Sequence, residues 1–171
     1  VVKPGALFRG KPARLLPVQN RIITEGLACN GLIAFAGVGA GKTLSYLMLM
    51  TLLSETHGIK FHKMLLLIPA SVRADFHKQF VDYQAAFRLP RGIQIKTYSE
   101  LSEPTSTQYL EALQPEVIIC DEADALKSFG AARTARFLRY LKKASIWRGG
   151  NCRLYILSGT LVSKSIKDWS H

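Results

Sequence analysis

The sequence is short of negative charge: 12 Asp and Glu stand against 23 Lys and Arg, giving a formal charge of +11 and an isoelectric point near 9.8. That balance favours a polyanionic partner, with nucleic acid first among them. The shortage is also local. No acidic residue occurs between Asp124 and Asp168, while Lys127, Arg133, Arg136, Arg139, Lys142, Lys143, Arg148, Arg153, Lys164 and Lys167 all fall in that interval. Any one of these could be an ordinary solvated surface charge; the run as a whole is harder to explain that way. Cysteine is scarce too. Cys29, Cys120 and Cys152 are odd in number and far apart, which excludes a disulfide framework and a CxxC-type zinc site and suits an intracellular, reducing compartment such as cytoplasm, nucleoid or nucleus. Long apolar runs are missing. Leu44 to Leu53 is too short to cross a bilayer, no signal-peptide pattern opens the chain, and no membrane partner is expected.

A chain of 171 residues with 48% hydrophobic content suits one globular domain. It starts at Val1 and stops at Trp169-Ser170-His171 without a terminating pattern, so a piece of a longer polypeptide is expected. Residues 1–17 are basic and interrupted by Pro4, Gly5, Gly10, Pro12 and Pro17, and read as an extended lead-in.

The densest information lies in Ala36-Gly37-Val38-Gly39-Ala40-Gly41-Lys42-Thr43, between an apolar strand at Leu32–Phe35 and an apolar helix running to about Thr56. Glycines let the backbone curl around an anion, and the helix that follows offers unpaired N–H groups and the positive end of its dipole. Gly37, Val38, Gly39, Ala40 and Gly41 would cradle phosphates, Lys42 would reach the β and γ phosphates, and Thr43 would ligate Mg²⁺. Ala36 stands where the first glycine of this loop usually stands.

Around the loop, the pattern predicts a helix over Val18–Ala28, a buried strand at Met64–Ile68, and a helix capped by Ser71 with Val72, Phe76, Phe80 and Val81 on one face. It continues with a short strand at Ile93–Lys96, a helix near Thr107–Leu113 and an apolar strand at Val117–Cys120. A helix over Ala131–Lys143 follows, with Ala131, Ala135, Leu138 and Leu141 inward, and a last strand at Leu154–Leu157. Strands that alternate with helices, and are continuously apolar, predict an α/β fold with a mostly parallel sheet covered on both faces. Ligands bind such sheets at the carboxyl ends of the strands. The glycine loop, Asp121-Glu122-Ala123-Asp124 and Ser158-Gly159-Thr160 each follow a predicted strand directly. Asp121 is then placed to hold a Mg²⁺ shell and Glu122 to polarise water, although the pair could also be an acidic helix start.

Taken together, Ala36-x-x-Gly39-x-Gly41-Lys42-Thr43, Asp121-Glu122-Ala123-Asp124 and Ser158-Gly159-Thr160 resemble motifs I, II and III of superfamily 2 helicases and translocases. Gln19, in Arg14-Leu15-Leu16-Pro17-Val18-Gln19, is similar in position to that superfamily's adenine-reading glutamine. Ile68-Pro69-Ala70-Ser71-Val72, Lys96-Thr97-Tyr98-Ser99-Glu100-Leu101 and Ala125-Leu126-Lys127-Ser128 resemble Swi/Snf-type double-stranded DNA translocases more than DEAD-box RNA helicases. Leu161, Ser163-Lys164-Ser165 and Asp124 depart from the Swi/Snf pattern, so a divergent member is implied.

The resemblance implies a RecA-like P-loop three-layer sandwich over residues 18–171, the first of two lobes, with ATP and Mg²⁺ as cofactors. A second RecA-like lobe would supply an arginine finger, and the nucleic acid would be double-stranded DNA. Lys42, Asp121 and Glu122 would carry the chemistry. Asp124, Ser158 and Thr160 would couple nucleotide state to the nucleic-acid groove, and the chain around Ser71, Arg73, Thr97 and Tyr98 would track phosphates. A non-catalytic nucleic-acid-binding or assembly module, or an RNA helicase lobe, are the alternatives.

Overall fold

A computed structural model describes residues 2–37, 39–126, 131–147 and 152–159, without the side chains of 145–147. In chain order the elements are β1 (Leu7–Phe8), β2 (Lys11–Pro12), α1 (Pro17–Ala28), β3 (Gly31–Phe35), α2 (Lys42–His57) and β4 (Met64–Ile68). Then come α3 (Arg73–Ala86), β5 (Gln94–Thr97), α4 (Ser106–Leu113), β6 (Val117–Asp121), α5 (Ala132–Trp147) and β7 (Arg153–Ser158). Every strand from β3 on joins one parallel sheet in the order β3-β7-β6-β4-β5. The α/β architecture read from the sequence is the one observed, and the predicted strands shift by no more than a residue at either end.

Alternation along the central strands divides the core into two layers. Met64, Leu66, Ile68, Val117 and Ile119 face α1, α2 and α3, while Leu65, Leu67, Ile118 and Cys120 face α4 and α5. Both faces of β4 and β6 are therefore dry, which is why these strands are apolar at nearly every position. Helix α2 lies between α1 and α3, with Tyr46, Leu47, Met48, Leu49, Met50 and Leu53 all buried; a helix apolar on every side belongs in that place. Among the described residues no helix is long and apolar enough to cross a membrane.

Three expectations about individual faces change. Ser71 does not cap α3: it lies exposed in a single 3-10 turn, Ala70–Val72, and no side chain caps the helix. Val81 points to solvent rather than joining buried Phe76. Helix α5 turns inward on Thr134, Phe137, Tyr140 and Ala144, leaving Ala135 and Leu138 exposed. Two aromatic rings bury more area than the small residues of the predicted face, so the rings set the rotation. The same rotation ties basic side chains into the fold. Arg136 donates to the carbonyls of Leu101 and Ser102, Arg133 to that of Ala125 at 2.8 Å, and Lys143 pairs with Glu111 at 2.7 Å. Part of the acid-free interval thus serves the fold, while Arg139 and Lys142 remain exposed.

The basic lead-in carries structure of its own. Strands β1 and β2 form a hairpin whose two turn residues, Arg9 and Gly10, both have positive φ, at 52° and 73°, as a two-residue hairpin turn requires. Phe8 anchors it on α3, its ring 5.3 Å from Tyr83 and 5.9 Å from Phe87. Phe8 is half-buried, so replacing it by Ala should remove part of the about 1.5–3 kcal/mol that a fully buried phenylalanine contributes and make the chain near Arg9 and Lys11 susceptible to trypsin. A denaturant melt and a timed digest check this; an unchanged digestion pattern would show that the aromatic contact does not hold the hairpin.

Candidate nucleotide site

Three strands end side by side, because β7 pairs with both β3 and β6. Their carboxyl ends carry the glycine loop, Ser158-Gly159 and Asp121-Glu122, so the sheet order itself assembles the site. In the loop, Gly39 and Gly41 adopt φ of 82° and 73°, a region costly for any residue with a Cβ. At Gly41 a Cβ would also lie 2.1 Å from Gln19 Nε2. Val38 and Thr160 lie outside the described residues, as do Lys127, Ser128, Leu161 and Ser163–Ser165.

Lys42 is buried at 8% exposure. Its Nζ donates to the Ala36 carbonyl at 3.0 Å and pairs with Glu122 Oε1 at 3.1 Å. The other carboxylate oxygen, Glu122 Oε2, accepts the Gly159 N–H at 3.3 Å. Gly159 fits closely here, since a Cβ would approach Lys42 Nζ to 3.3 Å. Glu122 itself has φ of 48°, an uncommon conformation for a residue with a side chain. Ser158, fully buried, donates from Oγ to Asp124 Oδ1 at 3.4 Å. The segments after all three strands are therefore joined by side-chain contacts.

Asp121 is 7% exposed. Burial first, then the Glu122 charge, pushes its carboxyl up to about 6 against the pull of Lys42. Its Oδ1 is buried with no hydrogen-bond partner, and the residue lines a cavity of about 460 Å³ together with Gly39, Gly41, Lys42 and half-buried Thr43. An orphaned carboxylate oxygen on a residue that shares a cavity with a threonine fits a hard divalent cation such as Mg²⁺. Among the described residues no three His, Cys, Asp or Glu side chains form a metal-holding group. A cation here would complete its shell with phosphate oxygens and water.

Gln19 is buried, and both ends of its amide are occupied: Oε1 accepts the Leu16 N–H at 2.8 Å and Nε2 donates to the Gly41 carbonyl at 3.2 Å. The residue thus clamps the start of α1 to the loop. Five cavity-lining residues escaped the sequence reading: Arg9, Tyr46, Asp75, Gln79 and Tyr83. Tyr46 carried a signal, since it follows Lys42 by one helical turn on the same face. Arg9 had none beyond its place before Gly10.

The expected nucleic-acid residues gather elsewhere on this sheet edge. Ser71 is exposed, whereas the side chains of Thr97 and Tyr98 are buried, with Tyr98 Oη donating to the Asp121 carbonyl at 2.8 Å. Their backbone N–H groups are engaged as well, that of Thr97 by Glu100 and that of Tyr98 by the Ile68 carbonyl at 3.1 Å, so neither is a free donor for a phosphate. Glu100 organises the neighbourhood: its carboxylate accepts the Thr97 N–H at 2.7 Å and pairs with Lys96 at 3.0 Å and Arg73 at 3.1 Å.

No protein-family model matches the chain, and no curated protein matches it in sequence. Solved structures do. The UvsW helicase from bacteriophage T4 aligns over 96% of this chain and 60% of its own, with a TM-score of 0.64 and 16% identity. The Sulfolobus solfataricus SWI2/SNF2 ATPase core in complex with dsDNA aligns over 92% and 34%, at 0.63 and 19%. The Escherichia coli DEAH/RHA helicase HrpB aligns over 85% and 20%, at 0.58 and 18%. The chain has the RecA-like α/β fold that these helicase structures share. The chain spans from about a fifth to three fifths of the length of these structures.

Two outcomes follow from the contacts of Gly41 and Glu100. Gly41→Ala should cost more than about 1 kcal/mol, because it forces a Cβ into positive φ and onto the Gln19 amide; a melting temperature equal to wild type would refute the clamp. Glu100 bears on acid stability. Burial pushes its carboxyl upward, but hydrogen bonds from Thr97 and Lys96 prevail and hold it at about 2, below its ordinary 4.5. Its contribution is therefore complete above about pH 4.5 and is lost as pH falls towards 2. Glu100→Gln should lower stability at neutral pH and flatten that acid limb, as read by unfolding at a series of pH values.

Proposed function

We propose that this chain is the ATP-binding lobe of a nucleic-acid motor, acting with a second RecA-like lobe to hydrolyse ATP and move on double-stranded DNA. The observation that supports it most is the junction of Lys42, Glu122 and Gly159 beside the unpaired oxygen of Asp121. In this reading a γ-phosphate displaces Glu122 from Lys42, and the ammonium exchanges one anionic partner for another. The freed Glu122 carboxylate can then orient an attacking water, while Gly159, losing its acceptor, reports the exchange to the segment after β7. Asp121 and Thr43 would hold Mg²⁺, which when bound supplies charge neutralisation on the phosphates.

Double-stranded DNA is favoured over RNA by the motif resemblance and by the SWI2/SNF2 core, a structural neighbour solved on dsDNA. The charge of +11 suits either polyanion. Hydrolysis by the lobe alone should be very slow, because lacking an arginine finger costs a factor of roughly 10³ to 10⁵.

Lys42→Ala in the full-length protein should abolish ATP turnover while leaving much of the DNA affinity. ATPase assays with no nucleic acid, with duplex DNA and with RNA, run beside a DNA-binding titration, check this. Unchanged turnover would remove Lys42 from the mechanism, selective stimulation by RNA would reassign the track, and absence of Mg-ATP affinity in the wild type would point to a non-catalytic binding module.

A further inference from the structure

Among the described residues, two buried side-chain polar atoms lack a hydrogen-bond partner, Tyr46 Oη and Asp121 Oδ1, and their residues line the same cavity. Folded proteins rarely leave such groups unpaired, because the desolvation cost is not recovered. Their coincidence in one place therefore asks for a ligand. The Asp121 oxygen is an acceptor facing a candidate cation position, as described above. The Tyr46 hydroxyl is a donor with no acceptor in hydrogen-bond geometry.

The two groups are neighbours. The Asp121 charge and the Thr43 hydroxyl both act on the Tyr46 phenol, although neither meets it in hydrogen-bond geometry. Packing, rather than a hydrogen bond, aims the hydroxyl: Tyr46 is 0% exposed, and its ring stacks on Phe76 with centroids 6.5 Å apart and planes 19° from parallel. A phenylalanine would fill this space equally well and leave no orphan. The chain instead carries a hydroxyl one turn after the lysine and threonine of the glycine loop.

We infer that Tyr46 is a positioning residue for the divalent cation of a bound nucleotide: its hydroxyl donates to the Asp121 carboxylate and fixes that side chain once the cation is in place. The inference rests on the nucleotide-binding reading above. It gives both unpaired atoms a partner in the loaded state only, as a group poised for a ligand should have. Partners of this kind, one step removed from the metal, change cation affinity by about 10- to 100-fold when removed.

The test compares wild type with Tyr46→Phe, using a fluorescent adenine nucleotide titrated in excess Mg²⁺ and again in EDTA, with thermal unfolding of the nucleotide-free protein alongside. The nucleotide-free variant should unfold at or above the wild-type temperature, because an unsatisfied hydroxyl has been removed. Its affinity in EDTA should match wild type, and the gain in affinity conferred by Mg²⁺ should shrink about 10-fold or more. An unchanged Mg²⁺ gain would overturn the inference, as would a lower melting temperature with affinity lost equally in Mg²⁺ and EDTA, the signature of a purely structural tyrosine. A wild type that shows no Mg²⁺ gain would overturn the nucleotide reading and the inference together, whereas a normal wild-type gain retained by the variant overturns the inference alone.

Discussion

Everything at this site depends on what a buried ammonium demands. Lys42 is almost wholly withdrawn from water, and an unpaired charge there would cost several kcal/mol, on the order of the stability of the whole domain. Its two partners come from the start of the glycine loop and from the segment after β6. Through the Gly159 N–H the same carboxylate reaches the segment after β7. One cation thus holds together stretches separated by more than a hundred residues of chain, and the contact is possible only because β7 is inserted between β3 and β6. The strand order is the precondition; the lysine makes it consequential.

Glu122 answers that demand under strain. A positive φ at a residue with a side chain costs roughly 1–2 kcal/mol, and the surrounding contacts must over-determine it to persist. Here they do: one oxygen meets Lys42 and the other meets the Gly159 amide. The carboxylate is held by interactions that an incoming phosphate would compete for directly. Under the proposed function, a strained residue whose two carboxylate contacts are open to competition from a phosphate would suit a two-state response, with Ser158 and Asp124 already in contact beside it.

What the sequence could disclose followed from how strongly each segment was constrained. Strands β4 and β6 are buried on both faces, so their composition admits no other placement, and the glycine loop is marked by residues that only a left-handed backbone requires. The rotation of α5 was harder to read. Its alanines and leucines offered one plausible stripe, but Phe137 and Tyr140 had more area to bury, and the competition is settled by the sheet beneath rather than by periodicity. Ser71 had the right chemistry for a cap, but the intervening 3-10 turn moved the helix start beyond its reach. The hairpin at Arg9 and the dual engagement of Gln19 depend on contacts across 75 or more residues and 22 residues respectively, for which a single sequence carries no signal.

The charge of the cavity runs against the charge of the chain. Arg9 and Lys42 contribute two cations to its lining, whereas Asp75, Asp121 and Glu122 contribute three carboxylates. The excess of +11 therefore lies outside this cavity, and the lining side chains offer a phosphate chain little net positive charge at the point of entry. A nucleotide carrying several negative charges would meet a site that is close to neutral or slightly negative, lined by an aspartate already disfavoured as an anion by burial and by its neighbour. A divalent cation resolves both difficulties at once, since it neutralises the carboxylates and the phosphates together. Under the proposed function a need for a metal thus follows from the charge balance of the lining as well as from the motifs, and the orphaned oxygen of Asp121 would be its local expression.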